Sequence, residues 1–263
     1  MVWGGAVRLS PADDILIRVE RPLDFDSEGQ IVASVLSKKA AAGATHVVLD
    51  LPVGPTAKVR SAAAADALEG RFAATAAALG IQLRVLRSDG SQAVGRGMGP
   101  ALEARDVLAV LERQDPALAD LQGRALLLAG ALLEMGGKAA AGQGAAQAAA
   151  VLADGRAWAK FQASCEAQGG LREPPRSHYS QAVLALQAGT VQGFDNRRLA
   201  RVAKLAGAPR AKAAGLDLHV HLGDAVARGQ PLYTLHAEAP GELRYALDYL
   251  ESQADMIEIA RRE

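Results

Sequence analysis

Two short β-branched runs separated by one Ala-rich stretch constrain this chain most. Residues 45–52 read Thr-His-Val-Val-Leu-Asp-Leu-Pro, and residues 81–87 read Ile-Gln-Leu-Arg-Val-Leu-Arg. Between them, residues 60–79 form an Ala-rich helical pattern that closes at Gly80. A strand, a helix and a second strand in that order give parallel strands joined by a right-handed crossover. The pattern extends upstream. Residues 15–20, Ile-Leu-Ile-Arg-Val-Glu, are short and β-branched and read as a strand, interrupted by Pro22. Residues 29–42 carry Ile31, Val32 and Val35 at helical spacing and stop at Gly43. In such sheets ligands collect in loops at the carboxyl ends of strands, which are the loop after Glu20, residues 53–58 and residues 88–101.

From 102 to 168 the pattern is helical, with glycine breaks near 136–137, 143 and 155. Pro174-Pro175 marks a linker at 171–180. Beyond it come short β patterns at 181–193, a helix at 195–207, and a strand pair at 216–222 and 230–237. A helix at 241–252 and a strand at 255–260 complete the chain. The sequence therefore predicts an α/β fold. Residues 1–170 make a partial parallel sheet with helices, 171–180 a linker, and 181–263 a smaller α+β domain.

Composition narrows the function classes. Lys and Arg number 29, as do Asp and Glu, so no global field draws the chain to nucleic acid or to acidic membranes. No run approaches the ~20 apolar residues of a membrane span. The single cysteine, Cys165, excludes an intrachain disulfide and reads as a packed thiol, so the cytoplasm is the expected setting. Trp3-Gly4-Gly5 arrives with no polar lead-in, as though the chain begins inside a domain.

Several constellations are able to carry chemistry. Ser34 and Lys38, four apart, share a helix face. A hydroxyl and an ammonium there can grip the edge of a planar base, or they can be ordinary solvated positions. Asp13 and Asp14 follow Pro11. Paired carboxylates can divide acid and base roles, and Asp near Pro equally caps a turn. The glycine-rich segment 89–103 fits neither the dinucleotide fingerprint nor the P-loop, and a tight loop is the favoured reading. Its Glu103, in the first turn of the next helix, can cap that turn or join loop carbonyls around a monovalent cation. His219, His221 and His236 lack Cys or carboxylate partners at a zinc spacing and are read as structural. The basic run from Arg197 to Lys212 has few aromatics, so a packing surface is favoured over a nucleic-acid face.

Taken in order, six segments resemble one family. They are VWGGAVRLSPADD, ASVLSKKAAAGATHVVLDLPVGPTAKV, DGSQAVGRGMGPALEARDVL, WAKFQASCEAQGG, DNRRLARVAKLAGAP and HLGDAVARGQPLYTLHAEAPGEL. The chain resembles the carboxy-terminal half of the thymidine phosphorylase family, in the branch that includes AMP phosphorylases, within the pyrimidine-nucleoside phosphorylase superfamily. The resemblance implies a pentosyltransferase that carries out reversible phosphorolysis of a nucleoside, or of AMP, to free base and (deoxy)ribose 1-phosphate. Phosphate is the co-substrate. It also implies a base grip at Ser34 and Lys38, with Asp13 or Asp14 standing where pyrimidine members carry an Arg. That departure leaves the base unassigned. Glu103 matches a potassium-site Glu of some relatives, and no other cofactor is implied. Residues 181–260 look like the α/β-hammerhead domain. The family's Lys/Asp-His-Ser and glycine-rich phosphate segments have no counterpart here, so the chain is expected to be a fragment that is inactive alone. A homo-oligomer is expected. A non-catalytic binding or oligomerisation module is the alternative, since residues 216–237 resemble half of a barrel-sandwich carrier. The turn Gly223-Asp224-Ala225 lacks the Lys that a carrier needs.

Overall fold

The computed structural model describes residues 10–20, 27–253 and 256–261. Trp3-Gly4-Gly5 and Pro22 lie outside them. The chain divides into two compact units, one of residues 1–89 and 125–151, the other of residues 90–124 and 152–263.

The first unit opens with helices α1 (Pro11–Glu20) and α2 (Glu28–Ala41). Strand β1 (His46–Val53), helix α3 (Ala62–Ala78) and strand β2 (Gln82–Asp89) follow. Ser27 and Ser61 cap α2 and α3, their hydroxyls accepting from the N–H of Gln30 and Ala64 at 3.2 Å. β1 and β2 pair in parallel, from His46 opposite Gln82 to Val53 opposite Asp89. Val32, Leu36, Val47, Leu51, Leu68 and Phe72 form the core where α2 and α3 meet the strands. Thus the strand–helix–strand unit at 45–87 stands as its hydrophobic pattern requires.

Residues 15–20 form no strand. They belong to α1, and the parallel sheet has two strands among the described residues. Ile15, Leu16, Ile17 and Val19 carry the β-branched signature, yet all four are exposed, so no sheet selects an extended backbone for them. The opposing signal lies just upstream. Ser10-Pro11 followed by Asp13-Asp14 is the order that opens a helix, with Pro at the first position and carboxylates in the first turn.

The second unit begins with strand β3 (Gly97–Met98) and helix α4 (Pro100–Glu112). A 3₁₀ turn at Pro116–Leu118 precedes α5 (Ala119–Met135), which passes into the first unit, where most of α6 (Gly144–Ala153) also lies. Back in the second unit come α7 (Arg156–Glu166), β4 (Tyr179–Leu184), β5 (Gly189–Phe194) and α8 (Asn196–Leu205). β6 (Gly215–Leu218), β7 (Ala225–Val226), β8 (Pro231–Ala237), α9 (Pro240–Ser252) and β9 (Ile257–Ala260) complete it. Two antiparallel sheets result, in the orders β3-β6-β8-β4 and β7-β5-β9. Val191, Leu199, Val202, Leu216, Leu235 and Ala246 make its core. The chain is therefore mixed α/β, with a parallel strand pair in one unit and antiparallel sheets in the other. No helix of the described residues is long and apolar enough to cross a membrane.

Candidate functional site

Helix α2 turns Gln30, Ser34 and Lys38 onto one stripe, because residues four apart sit one above another. The opposite stripe, Val32 and Leu36, is buried in the core, which fixes the rotation of the helix. Helix α1 lies against the polar stripe. Ser10 Oγ is 3.2 Å from Ser37 Oγ, and Asp13, 4% exposed, is held further along.

Asp13 is the centre of this stripe. Ser34 Oγ donates to its Oδ2 at 3.2 Å and Gln30 Nε2 donates to its Oδ1 at 3.3 Å. The Lys38 ammonium forms an ion pair with the same Oδ2. Lys38 Nζ also lies 3.3 Å from Ser34 Oγ and 3.4 Å from the Ser34 carbonyl oxygen. Three donors thus converge on a carboxylate that is nearly removed from water. The Lys38 side chain keeps 33% of its surface against 5% for Asp13, so the cluster opens to solvent on the lysine side. The arrangement offers an ammonium and a hydroxyl side by side, with their orientation set by a buried carboxylate. An ammonium and a hydroxyl so placed can donate to the polar edge of a planar ring.

Asp13, Ser34 and Lys38 are thus brought together. Asp14 follows on the same helix, and its side chain lies outside the described residues. Gln30 completes the stripe and was not singled out by its spacing to anything apolar or charged. Its only sequence signal is its place four residues before Ser34.

Glu103 belongs to the second unit. Its Oε1 accepts the Gly99 N–H at 3.0 Å, while its own N–H donates to the Gly99 carbonyl at 2.9 Å. The carboxylate serves the start of its own helix, with Pro100 at the first position. The Arg96 carbonyl accepts the Leu218 N–H at 2.9 Å. Each of these oxygens is engaged by a backbone N–H donor. The glycines answer to packing: a Cβ on Gly99 would stand 2.3 Å from the Ala214 carbonyl oxygen, where the loop crosses β6. Buried Asp106, missed in the sequence, fastens the loop, its Oδ2 accepting from the N–H of Arg96 at 2.8 Å and of Gly97 at 2.7 Å.

β6 ends at Leu218, so His219 and His221 lie beyond the strand. His219 Nε2 is 2.7 Å from Thr234 Oγ1, and His236 Nδ1 is 2.9 Å from Ser177 Oγ. No cluster of three His, Cys, Asp or Glu side chains suited to a metal occurs among the described residues. In the basic run, Arg198 pairs with Asp195 at 3.2 Å and Arg201 lies over the Tyr249 ring at 5.3 Å.

Residues 190–256 match the family described as the pyrimidine nucleoside phosphorylase C-terminal domain. Over 259 residues the chain is 66% identical to a protein of a Polaromonas species, covering 98% of this chain and 51% of that protein. It is 63% identical over 260 residues to a protein of an Acidovorax species, covering 99% and 51%. A Sphingopyxis alaskensis protein is 61% identical over 262 residues, covering 100% and 51%. All three carry the name "Putative thymidine phosphorylase", the Acidovorax one with the number 1. The chain spans about half the length of these relatives.

Proposed function

The chain belongs to the thymidine phosphorylase family, of which it represents a carboxy-terminal half, and on that premise we propose that it supplies the base-facing part of a nucleoside or nucleotide phosphorylase. The reaction is reversible phosphorolysis. Phosphate attacks the anomeric carbon as the bond to the base breaks, giving (deoxy)ribose 1-phosphate. Negative charge develops on the departing base, and a donor placed there lowers the barrier.

The observation that carries this reading is the convergence of Asp13, Ser34 and Lys38. In the proposed roles, Lys38 Nζ donates toward the base as it leaves, and Ser34 Oγ fixes the base edge. Asp13 orients both and balances the ammonium charge, with Asp14 as the second carboxylate of the pair. A base enters by taking over one of the Lys38 protons now turned to Ser34. The attacking phosphate is proposed to be held by residues outside this set, and the chain alone is proposed to be inactive. We place the enzyme in the cytoplasm as a homo-oligomer.

Equilibrium titration of the chain with free purine and pyrimidine bases tests the grip. Ser34→Ala and Lys38→Ala are each expected to weaken binding about tenfold, the size of one charge-assisted hydrogen bond. Incubation with nucleosides or AMP plus phosphate is expected to release no base. Unchanged binding in both variants would sink the base grip. Turnover by the chain alone would place the phosphate site within it.

A further inference from the structure

The four-stranded sheet of the second unit has two unlike faces. Side chains alternate along a strand, so Tyr233, Leu235 and Ala237 of β8 point to the buried core and Thr234 and His236 point away. Register places Ser180 of β4 opposite His236, and Asp217 of β6 opposite Thr234, on the same polar face. Arg105 of α4, together with Arg176 and Ser177 of the segment leading into β4, joins Arg96 and these residues. They line a cleft of about 320 Å³.

The charges of the cleft do not cancel. Asp106 is consumed by two backbone N–H groups and by Arg96, whose Nε is 3.8 Å from its Oδ1. Arg96 is also paired with Asp115 at 2.8 Å. Arg105 Nη2 donates to the carbonyl oxygens of Pro174 and Pro175, neutral acceptors that orient the guanidinium without removing its charge. Arg176 is exposed, with no ion pair or hydrogen bond among the described residues. Two cations therefore face one remaining carboxylate, Asp217. Arg96 Nε is buried without a hydrogen-bond partner, and an unmet donor is costly unless an acceptor reaches it. Ser177 and Ser180 add hydroxyls on the same wall.

We propose that this cleft binds a small tetrahedral oxyanion, as inorganic phosphate or as a phosphate monoester, with Arg105 and Arg176 as its cationic grip and Ser177 and Ser180 as hydroxyl donors. Guanidinium suits the anion because its planar fork meets two oxygens at once. The inference rests on the second unit alone and is independent of the base grip on α2.

The test titrates the whole chain, in low-salt chloride buffer, with inorganic phosphate and separately with ribose 5-phosphate, by calorimetry. Saturable binding is expected with at least one probe. Arg176→Gln, at an exposed side chain, and Arg105→Gln are each expected to weaken it at least about tenfold. Arg228→Gln, an exposed cation outside the cleft, is expected to leave it unchanged. Equal affinity for the two probes assigns the free ion, and tighter binding of ribose 5-phosphate assigns the monoester. Absence of saturation with both probes overturns the proposal. So does equal weakening by Arg228→Gln, which would reduce the effect to diffuse charge.

Discussion

Lys38 has three protons to place, and Asp13 Oδ2, Ser34 Oγ and the Ser34 carbonyl receive them. Removing the ammonium leaves a buried carboxylate with only neutral donors. Lys38→Met is therefore expected to destabilise the first unit by about 1–3 kcal/mol, and Asp13→Asn in the same background to recover part of that loss. Chemical denaturation of the two single variants and the double variant measures the coupling, and additive effects would show that the pair is energetically silent. His236 gives a second prediction. Burial lowers its pKa below 6.5, with Arg105 and His219 acting in the same direction and Asp217 opposing. Below 6.5 the unfolded chain binds a proton that the folded imidazole resists. The stability contribution is thus whole above the unfolded value and is lost as pH falls toward the folded one. His236→Gln is expected to flatten that decline between about pH 7 and 5 relative to the parent chain. Parallel slopes would exclude the residue as its source. At this scale the sequence was partly legible. Ser34 and Lys38 declare themselves by a spacing of four, and the paired Asp residues by their chemistry. Asp106 does not, because its role depends on a loop that bends back ten residues to meet it.

Elements depend on signals of different reach. β1, α3 and β2 follow from local hydrophobic pattern, since each buries one face within its own unit. Helix α1 inverts the pattern: Ile15, Leu16, Ile17 and Val19 are exposed, while its buried Asp13 ties it to α2. Propensity at 15–20 pointed to a strand and a tertiary contact decided for the helix. β3 was illegible for another reason. Two residues have no period, and their pairing to β6 rests on a backbone approach that only glycine allows. A Cβ on Gly215 would stand 2.0 Å from the Met98 carbonyl oxygen, and its φ of 147 lies where other residues rarely go. Gly215→Ala is expected to cost more than about 2 kcal/mol, because both clash and strain act at once. A denaturation midpoint within error of the parent would refute the close approach.

At the scale of the molecule, the two units differ in how fully they are covered. The second closes its core between two antiparallel sheets and the helices α8 and α9. Among the described residues the first has a parallel sheet of two strands, and parallel sheets are ordinarily buried on both faces and extended by neighbours. Its helix α1 presents Ile15 at 63%, Leu16 at 45%, Ile17 at 37% and Val19 at 60% exposure, apolar side chains open to water of the kind that associate. Among the described residues, the outer edges of the β1–β2 pair add backbone donors and acceptors that another chain can complete. Copies of the chain at high concentration are able to cover such a surface for one another. Purified alone, the chain is therefore expected to self-associate at roughly 100 μM, the range where exposed apolar surface drives assembly. Ile15→Lys with Val19→Lys should lower the apparent mass in light scattering without altering the helical signal, since both positions are already in water. A monodisperse monomer in the parent chain would show that the α1 surface and the strand edges are satisfied without a partner.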